Sequence, residues 1–230
     1  MIKIAYDTIY AHPLPEGHRF PMLKYELIPE QLLHEGTIEN EHLFVPEICA
    51  LTTVLQTHET EYVNKLLNQT LTASEERKIG FPQSPDLTKR ELIITQGTID
   101  CCHNAMKSGV ALNVAGGTHH AFSDRGEGFC LLNDMAIASN YLIANQLAER
   151  IVIIDLDVHQ GNGTAKIFEN NKNVFTFDNS LYIKHALDVD KMNEAAKILL
   201  TFSNFKCFSR SNTDVKTYNC NISNAEWILT

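Results

Sequence analysis

Hydrophobic residues in this chain fall into short dense runs separated by longer amphipathic stretches. Three runs, Val110-Ala111-Leu112-Asn113-Val114-Ala115, Ile151-Val152-Ile153-Ile154 and Val174-Phe175-Thr176-Phe177, are rich in β-branched or aromatic residues. They are apolar at successive positions, the pattern of strands buried on both sides of a parallel sheet. Met1 to Asp7 reads as a further, first strand. Between the runs the spacing turns helical. One helix is predicted from Leu87 to about Lys107, opened by Pro85-Asp86 and closed by Gly109. A second runs from Leu131 to about Leu147, with Leu132, Met135, Ala136, Ile137, Tyr141, Leu142 and Leu147 at near-helical spacing. A third starts over Thr164 to Phe168. Met22 to His34 and Glu59 to Asn68 read as peripheral helices, and Ser74-Glu75-Glu76-Arg77 as a solvated first helical turn. Strands alternating with helices imply right-handed crossovers and an α/β fold, a three-layer α/β/α domain with a mostly parallel central sheet. Ligands in such sheets bind beyond the carboxyl ends of the strands.

The punctuation is uneven. All seven prolines lie within the first 85 residues, and no glycine follows Gly163. From Phe202 onward neither period is sustained, so the pattern assigns an α/β domain to residues 1–201 and an off-pattern tail to 202–230. His12, His18, His34, His42 and His58 are scattered without ligand spacing and read as surface or capping residues.

Composition narrows the function classes. An apolar share of 44% and a charged share of 20% are ordinary for a globular domain. The net charge is −9 with no Lys/Arg run, which argues against direct nucleic-acid binding and suits a cationic substrate. No stretch reaches the roughly 18 apolar residues of a membrane span. The N-terminus is too short and too polar for a signal peptide. The six cysteines (49, 101, 102, 130, 207, 220) contain no Cys-x-x-Cys pair and read as reduced thiols in a cytoplasmic protein.

Two motifs carry the chemistry, each directly after an apolar run. Gly116-Gly117-Thr118-His119-His120 sets two imidazoles in a glycine-permitted turn. Asp155-Leu156-Asp157-Val158-His159-Gln160-Gly161-Asn162-Gly163 places Asp157 and His159 two residues apart, on one side of an extended strand end. An oxygen and a nitrogen donor at that separation suit zinc. Asp155 shares their side and can orient a histidine, and Asn162 offers a polar side chain to the same cleft. One neutral imidazole can take a proton from an activated water while another, held by a carboxylate, stabilises a developing oxyanion. Between the motifs, Gly126-Glu127-Gly128-Phe129-Cys130-Leu131-Leu132-Asn133-Asp134 supplies an aromatic flanked by glycine.

Taken in order and spacing, Gly-Gly-Thr-His-His, Gly-Phe-Cys-Leu-Leu-Asn-Asp and Asp-Leu-Asp-Val-His-Gln-Gly-Asn-Gly resemble the zinc-dependent histone deacetylase family of the arginase/deacetylase fold. Gln160 and Asn162 make the chain most similar to the class IV branch and its bacterial relatives. The resemblance covers roughly residues 1–178. It implies that Asp157 and His159 bind Zn2+, that His119 and His120 are the tandem acid/base pair, that Asp155 pairs with His119 and Asn162 with His120, and that Gly128 and Phe129 line a channel for an acyl-lysine. It also implies a structural monovalent cation, K+, near Asp155. The reaction implied is hydrolysis of an N-acyl amide on a protein lysine or a small acylated amine, in the cytoplasm, or in the nucleus for a eukaryotic source. The family's third zinc ligand, an Asp, and its transition-state Tyr lie at least two strand–helix units past Val174–Asp178, at about 30 residues per unit. Asp188, Asp190 and Asp214 lack strand-end context. The expectation is therefore the N-terminal portion of the family domain, with activity dependent on the missing part.

Two other readings compete. A catalytically silent deacetylase-like protein would bind acyl-lysine peptides or a partner without turnover. Ile153-Ile154-Asp155-Leu156-Asp157 also resembles the haloacid-dehalogenase nucleophile motif, although His159 stands where that motif wants Thr or Val.

Overall fold

The computed structural model describes residues 1–178 together with 190, 193–194, 197, 200–201 and 223. The chain divides into two units, Met1–Asn179 and Ser180–Thr230. In the second, the described residues Asp190, Asn193, Glu194 and Lys197 are helical and Asp190 is exposed. Asp188, Asp214, Cys207, Cys220 and nearly all of the 202–230 tail lie outside the described residues.

The first unit is α/β with parallel strands. Strand β1 (Lys3–Ala5) lies between β2 (Leu43–Phe44) and β3 (Ala111–Asn113), in the order β2-β1-β3. Strands β4 (Ile151–Asp155) and β5 (Val174–Asp178) form a second parallel pair in register from Ile151 with Val174 to Asp155 with Asp178. The described α-helices are α1 (Lys24–His34), α2 (Leu51–Val54), α3 (Thr60–Asn68), α4 (Ala73–Ile79), α5 (Pro85–Ser108), α6 (Asp134–Ala144) and α7 (Asn162–Phe168). Every strand predicted from an apolar run is present; β1 and β3 are shorter than predicted, and β4 and β5 each extend one residue further, to an Asp. The two-residue β2 and the short α2 carry too little periodicity to be read beforehand.

Local chemistry sets the helix limits. Ser84 caps α5 by accepting a hydrogen bond from the Leu87 N–H at 3.0 Å, Pro85 occupies the first turn, and Gly109 closes the helix at φ +88°. Thr72 and Glu75 form a reciprocal capping box at the start of α4. Asn133 caps α6 through the Ala136 N–H at 3.0 Å, so the helix starts at Asp134 rather than at Leu131. Leu131 and Leu132 precede the cap as core residues, 1% and 2% exposed.

Helix α5 is the spine of the larger core. Leu87, Ile93, Ile94 and Ile99 pack with Tyr10, Tyr62, Leu66, Ile79, Phe81, Leu132 and Ile137. Its one buried charge pair is made by neighbours, Arg90 and Glu91, with Arg90 Nε also donating to the Tyr10 carbonyl at 2.8 Å. A second core joins Ala136 of α6, Ile153 of β4, Phe168 of α7 and Val174 of β5.

One sequence expectation needs correction. The β4 and β5 runs are apolar on both faces, yet only one face is buried. Ile153 and Val174 are inside, while Val152, Ile154 and Phe175 are 62%, 62% and 63% exposed. Period-2 geometry sends alternate residues to opposite sides, and α6 and α7 pack on the Ile153 side. Leu112 of β3 is similarly exposed at 49%.

This asymmetry has an energetic signature. Ile153→Ala should lower unfolding free energy by about 2–4 kcal/mol in urea titration, as for large-to-small changes in a core. Ile154→Ala should cost less than about 1 kcal/mol, because its side chain already meets solvent. Equal costs at the two positions would contradict the one-sided burial.

Candidate active site

The two motifs meet at the carboxyl end of β4. The turn after β3 carries His119 and His120; β4 ends on Asp155, the turn after it carries Asp157 and His159, and Asn162 opens α7. His119 is 6% exposed, and its Nδ1 lies 2.5 Å from Asp155 Oδ2. His120 Nδ1 lies 2.7 Å from Asn162 Oδ1. An amide oxygen only accepts, so His120 Nδ1 carries the proton and its Nε2 keeps the lone pair in the neutral ring. The two rings lie 4.1 Å apart between centroids. The His159 ring stands 6.0 Å from that of His120, edge to face.

Asp157 and His159 form the solvent side of the cluster, with side chains 50% and 63% exposed. Asp157 Oδ1 accepts the His159 N–H at 2.7 Å and lies 2.9 Å from His159 Nδ1. The Asp157 carboxyl is held below the usual carboxylate range, chiefly by the His159 backbone N–H. Asp157 N–H donates in turn to Asp155 Oδ1 at 2.9 Å, so Asp155 braces both motifs at once.

Those two donors fit part of a zinc shell. With zinc bonds of roughly 2.0–2.1 Å, two corners of a tetrahedron stand roughly 3.3 Å apart, near the 2.9 Å found between Asp157 Oδ1 and His159 Nδ1. As a hydrogen bond this contact places the proton on Nδ1; a metal needs that lone pair and would select the other tautomer. Among the described residues, no group of three or more His, Cys, Asp or Glu is placed to hold a metal ion.

Close approach is built into the backbone. A Cβ on Gly128, whose φ is +55°, would lie 2.7 Å from His120 Cδ2, so only glycine lets that turn pack flat on the ring. At Gly163 a Cβ would lie 2.7 Å from the His119 carbonyl oxygen. Its absence lets α7 approach the tandem-histidine turn, where the Thr164 N–H donates to that carbonyl at 3.1 Å. Phe129, also at positive φ (+68°), sits in an aromatic cluster with Phe20 at 4.9 Å and Phe81 at 5.1 Å, and the Arg19 guanidinium lies 5.0 Å from its ring.

Sequence reasoning missed the residues behind the site. Asn133 is fully buried and Asp134 is 1% exposed, and both bond to the tandem-histidine turn. They stand in the motif already quoted, but polar residues ahead of a helix ordinarily read as caps. His58 is a correction. It is 2% exposed rather than a surface or capping histidine, and its Nε2 accepts the Asn133 N–H at 3.0 Å. Nothing in the spacing around it marks a buried acceptor.

The sequence profile of the histone deacetylase domain matches residues 18–186. The chain belongs to the histone deacetylase family. An uncharacterized protein of Picosynechococcus is 45% identical over 174 residues, covering 76% of this chain and 58% of that protein. The acetoin utilization protein AcuC of Staphylococcus aureus is 30% identical over 189 residues, covering 76% and 48%. Among solved structures, a histone deacetylase homologue from Aquifex aeolicus superposes with a TM-score of 0.67 at 25% identity, covering 77% of this chain and 50% of that one. A homologue complexed with SAHA gives the same TM-score of 0.67 at 24% identity, with 83% and 55% covered, and so speaks for the fold alone. The chain thus spans about half the length of the relatives it matches.

Burial pushes the His58 imidazole down to about 4, against the carbonyls of Ser123 and Phe122, which favour the charged form. A folded-state value below the unfolded value of about 6.5 means the neutral ring contributes its full stability above pH 6.5. That contribution is lost as pH falls from 6.5 toward 4, up to roughly 3 kcal/mol. His58→Gln keeps an acceptor for Asn133 and cannot titrate. Denaturant unfolding at pH 7 and pH 4.5 should therefore show a smaller drop for the variant than for the wild type. Parallel drops would rule out a buried neutral His58.

Proposed function

We propose that this chain carries the catalytic half-site of a zinc-dependent N-acyl-lysine deacetylase, acting on an acylated protein lysine or a small acylated amine. The observation that carries the reading is the convergence of two backed imidazoles, His119 on Asp155 and His120 on Asn162, with the Asp157–His159 edge. Family membership supports the deacetylase chemistry.

In this reading Asp157 and His159 are two of the zinc donors. A bound zinc ion would polarise the scissile carbonyl and make water acidic enough to react near neutral pH. His120, its Nδ1 proton committed to Asn162, presents Nε2 as the group that takes a proton from water and returns it to the leaving amine. His119, backed by the Asp155 carboxylate, is placed to carry positive charge beside the developing oxyanion. Gly128 and Phe129 border the path of the acyl-lysine stem. The aromatic wall of Phe20, Phe81 and Phe129 suits a methylene chain, and the net charge of −9 suits lysine-rich substrates.

A second reading, a silent binding protein, is favoured by one observation: the described residues supply two donors near each other and no group of three. Metal content and turnover separate the two. Under the deacetylase reading the wild-type chain holds one zinc and hydrolyses an acetyl-lysine reporter, His159→Ala loses the zinc, and His120→Ala keeps zinc while losing about 10²–10⁴-fold in kcat. A folded wild type with no more zinc than His159→Ala, and no turnover, would establish the silent reading.

A further inference from the structure

The segment between the two motifs holds two buried polar residues that the proposed chemistry does not use. Asp134 receives hydrogen bonds from the Gly117 N–H at 3.1 and 3.2 Å, from the Thr118 N–H at 2.8 Å, and from the hydroxyls of Thr118 and Thr98 at 2.6 Å each. An ionised carboxylate is acceptor-only, and every partner here is a donor. Asn133 works from the other side. Its Nδ2 donates to the Ala121 carbonyl at 3.0 Å and to Thr164 Oγ1 at 2.9 Å, while its Oδ1 is committed to the Ala136 N–H. Thr164, in turn, donates its N–H to the His119 carbonyl at 3.1 Å. Asn133 itself is fixed by the His58 acceptor on its N–H.

We infer that Asn133 and Asp134 form a two-sided clamp on the tandem-histidine turn, Asp134 gripping Gly117 and Thr118 before His119 and Asn133 gripping Ala121 after His120. They are positioning residues. They hold the backbone from which the two adjacent imidazoles project side by side, their ring centroids 4.1 Å apart. Adjacent residues in a turn have no regular secondary structure to hold their side-chain vectors, so the four backbone groups around them must be held from outside. Because Asn133 caps α6 and Asp134 opens it, the clamp is anchored to a helix packed against α5. Loss of the clamp should leave the Asp157–His159 edge intact, since that edge hangs on β4.

The catalytic arm of this inference rests on the deacetylase reading; its structural arm does not. The test is Asp134→Asn, which keeps the shape but turns one acceptor into a donor facing other donors. Amide hydrogen exchange resolved by residue should show Gly117 and Thr118 exchanging at least about ten-fold faster, with Ile94 and Ile99 of α5 unchanged. Zinc content should match the wild type. With an acetyl-lysine reporter, kcat should fall at least about ten-fold while KM stays within about two-fold. Unchanged exchange at Gly117 and Thr118 overturns the clamp whatever the activity. Faster exchange with unaltered kcat, in a protein whose wild type turns over, overturns the positioning role. An inactive wild type counts against the deacetylase reading alone, and the exchange arm still decides the clamp. If Asp134→Asn does not fold, Thr98→Val removes one donor from outside the turn. It should speed Gly117 exchange by a smaller factor, and no change there also overturns the proposal.

Discussion

The contact between His119 Nδ1 and Asp155 Oδ2 is the interaction on which the site depends. It joins side chains 36 positions apart in sequence, one from the turn after β3 and one from the end of β4. These strands belong to separate sheets among the described residues, so no backbone ladder aligns the two motifs. Side-chain hydrogen bonds do most of it, joined by the Thr164 N–H on the His119 carbonyl. Asp155 reaches one way to His119 and the other way to the Asp157 N–H. Its carboxylate therefore fixes the separation between the tandem-histidine turn and the Asp157–His159 edge. A charge-assisted bond in a partly buried setting is stronger than a neutral one, and its geometry is correspondingly stiff.

The remaining contacts extend that stitch. Asn162 ties His120 to the first turn of α7, Gly163 lets α7 approach, and Thr164 holds the His119 carbonyl. Asn133 and Asp134 hold the same turn from α6. The tandem histidines are thus supported by β4, α6 and α7 together. This division leaves Asp157 and His159 comparatively open, on a solvent-facing turn with the neighbouring Leu156 and Val158 exposed at 87% and 79%. The tandem-histidine side is tightly supported, while the Asp157–His159 side stays open to solvent.

Much of this was legible in the amino-acid sequence, because the signals were strong and local. The apolar runs at 110–115, 151–154 and 174–177 each mark a strand, and the Pro85 and Gly109 boundaries of α5 obey simple capping chemistry. The pairing of Asp155 with His119 and of Asn162 with His120 follows the family resemblance, and the hydrogen bonds connect the same partners. What could not be read was long-range. Run composition says a strand is apolar on both faces but not that Val152, Ile154 and Phe175 would stay exposed, since burial depends on what packs across the sheet. His58 lies 75 positions from Asn133, and no periodicity connects a histidine before α3 to the cap of α6. The sequence leaves Phe129 open between channel wall and core; its cluster with Phe20 and Phe81 comes from segments whose proximity only the fold creates.

Nitrogen-resolved NMR of the imidazole rings tests the convergence of the two motifs most directly, without requiring metal or turnover. His119 and His120 should both carry a proton on Nδ1, that of His119 downfield, exchange-protected and lost in Asp155→Ala. Rings that appear as freely averaging, mainly Nε2–H surface imidazoles, insensitive to replacement of Asp155 or Asn162, would contradict the account.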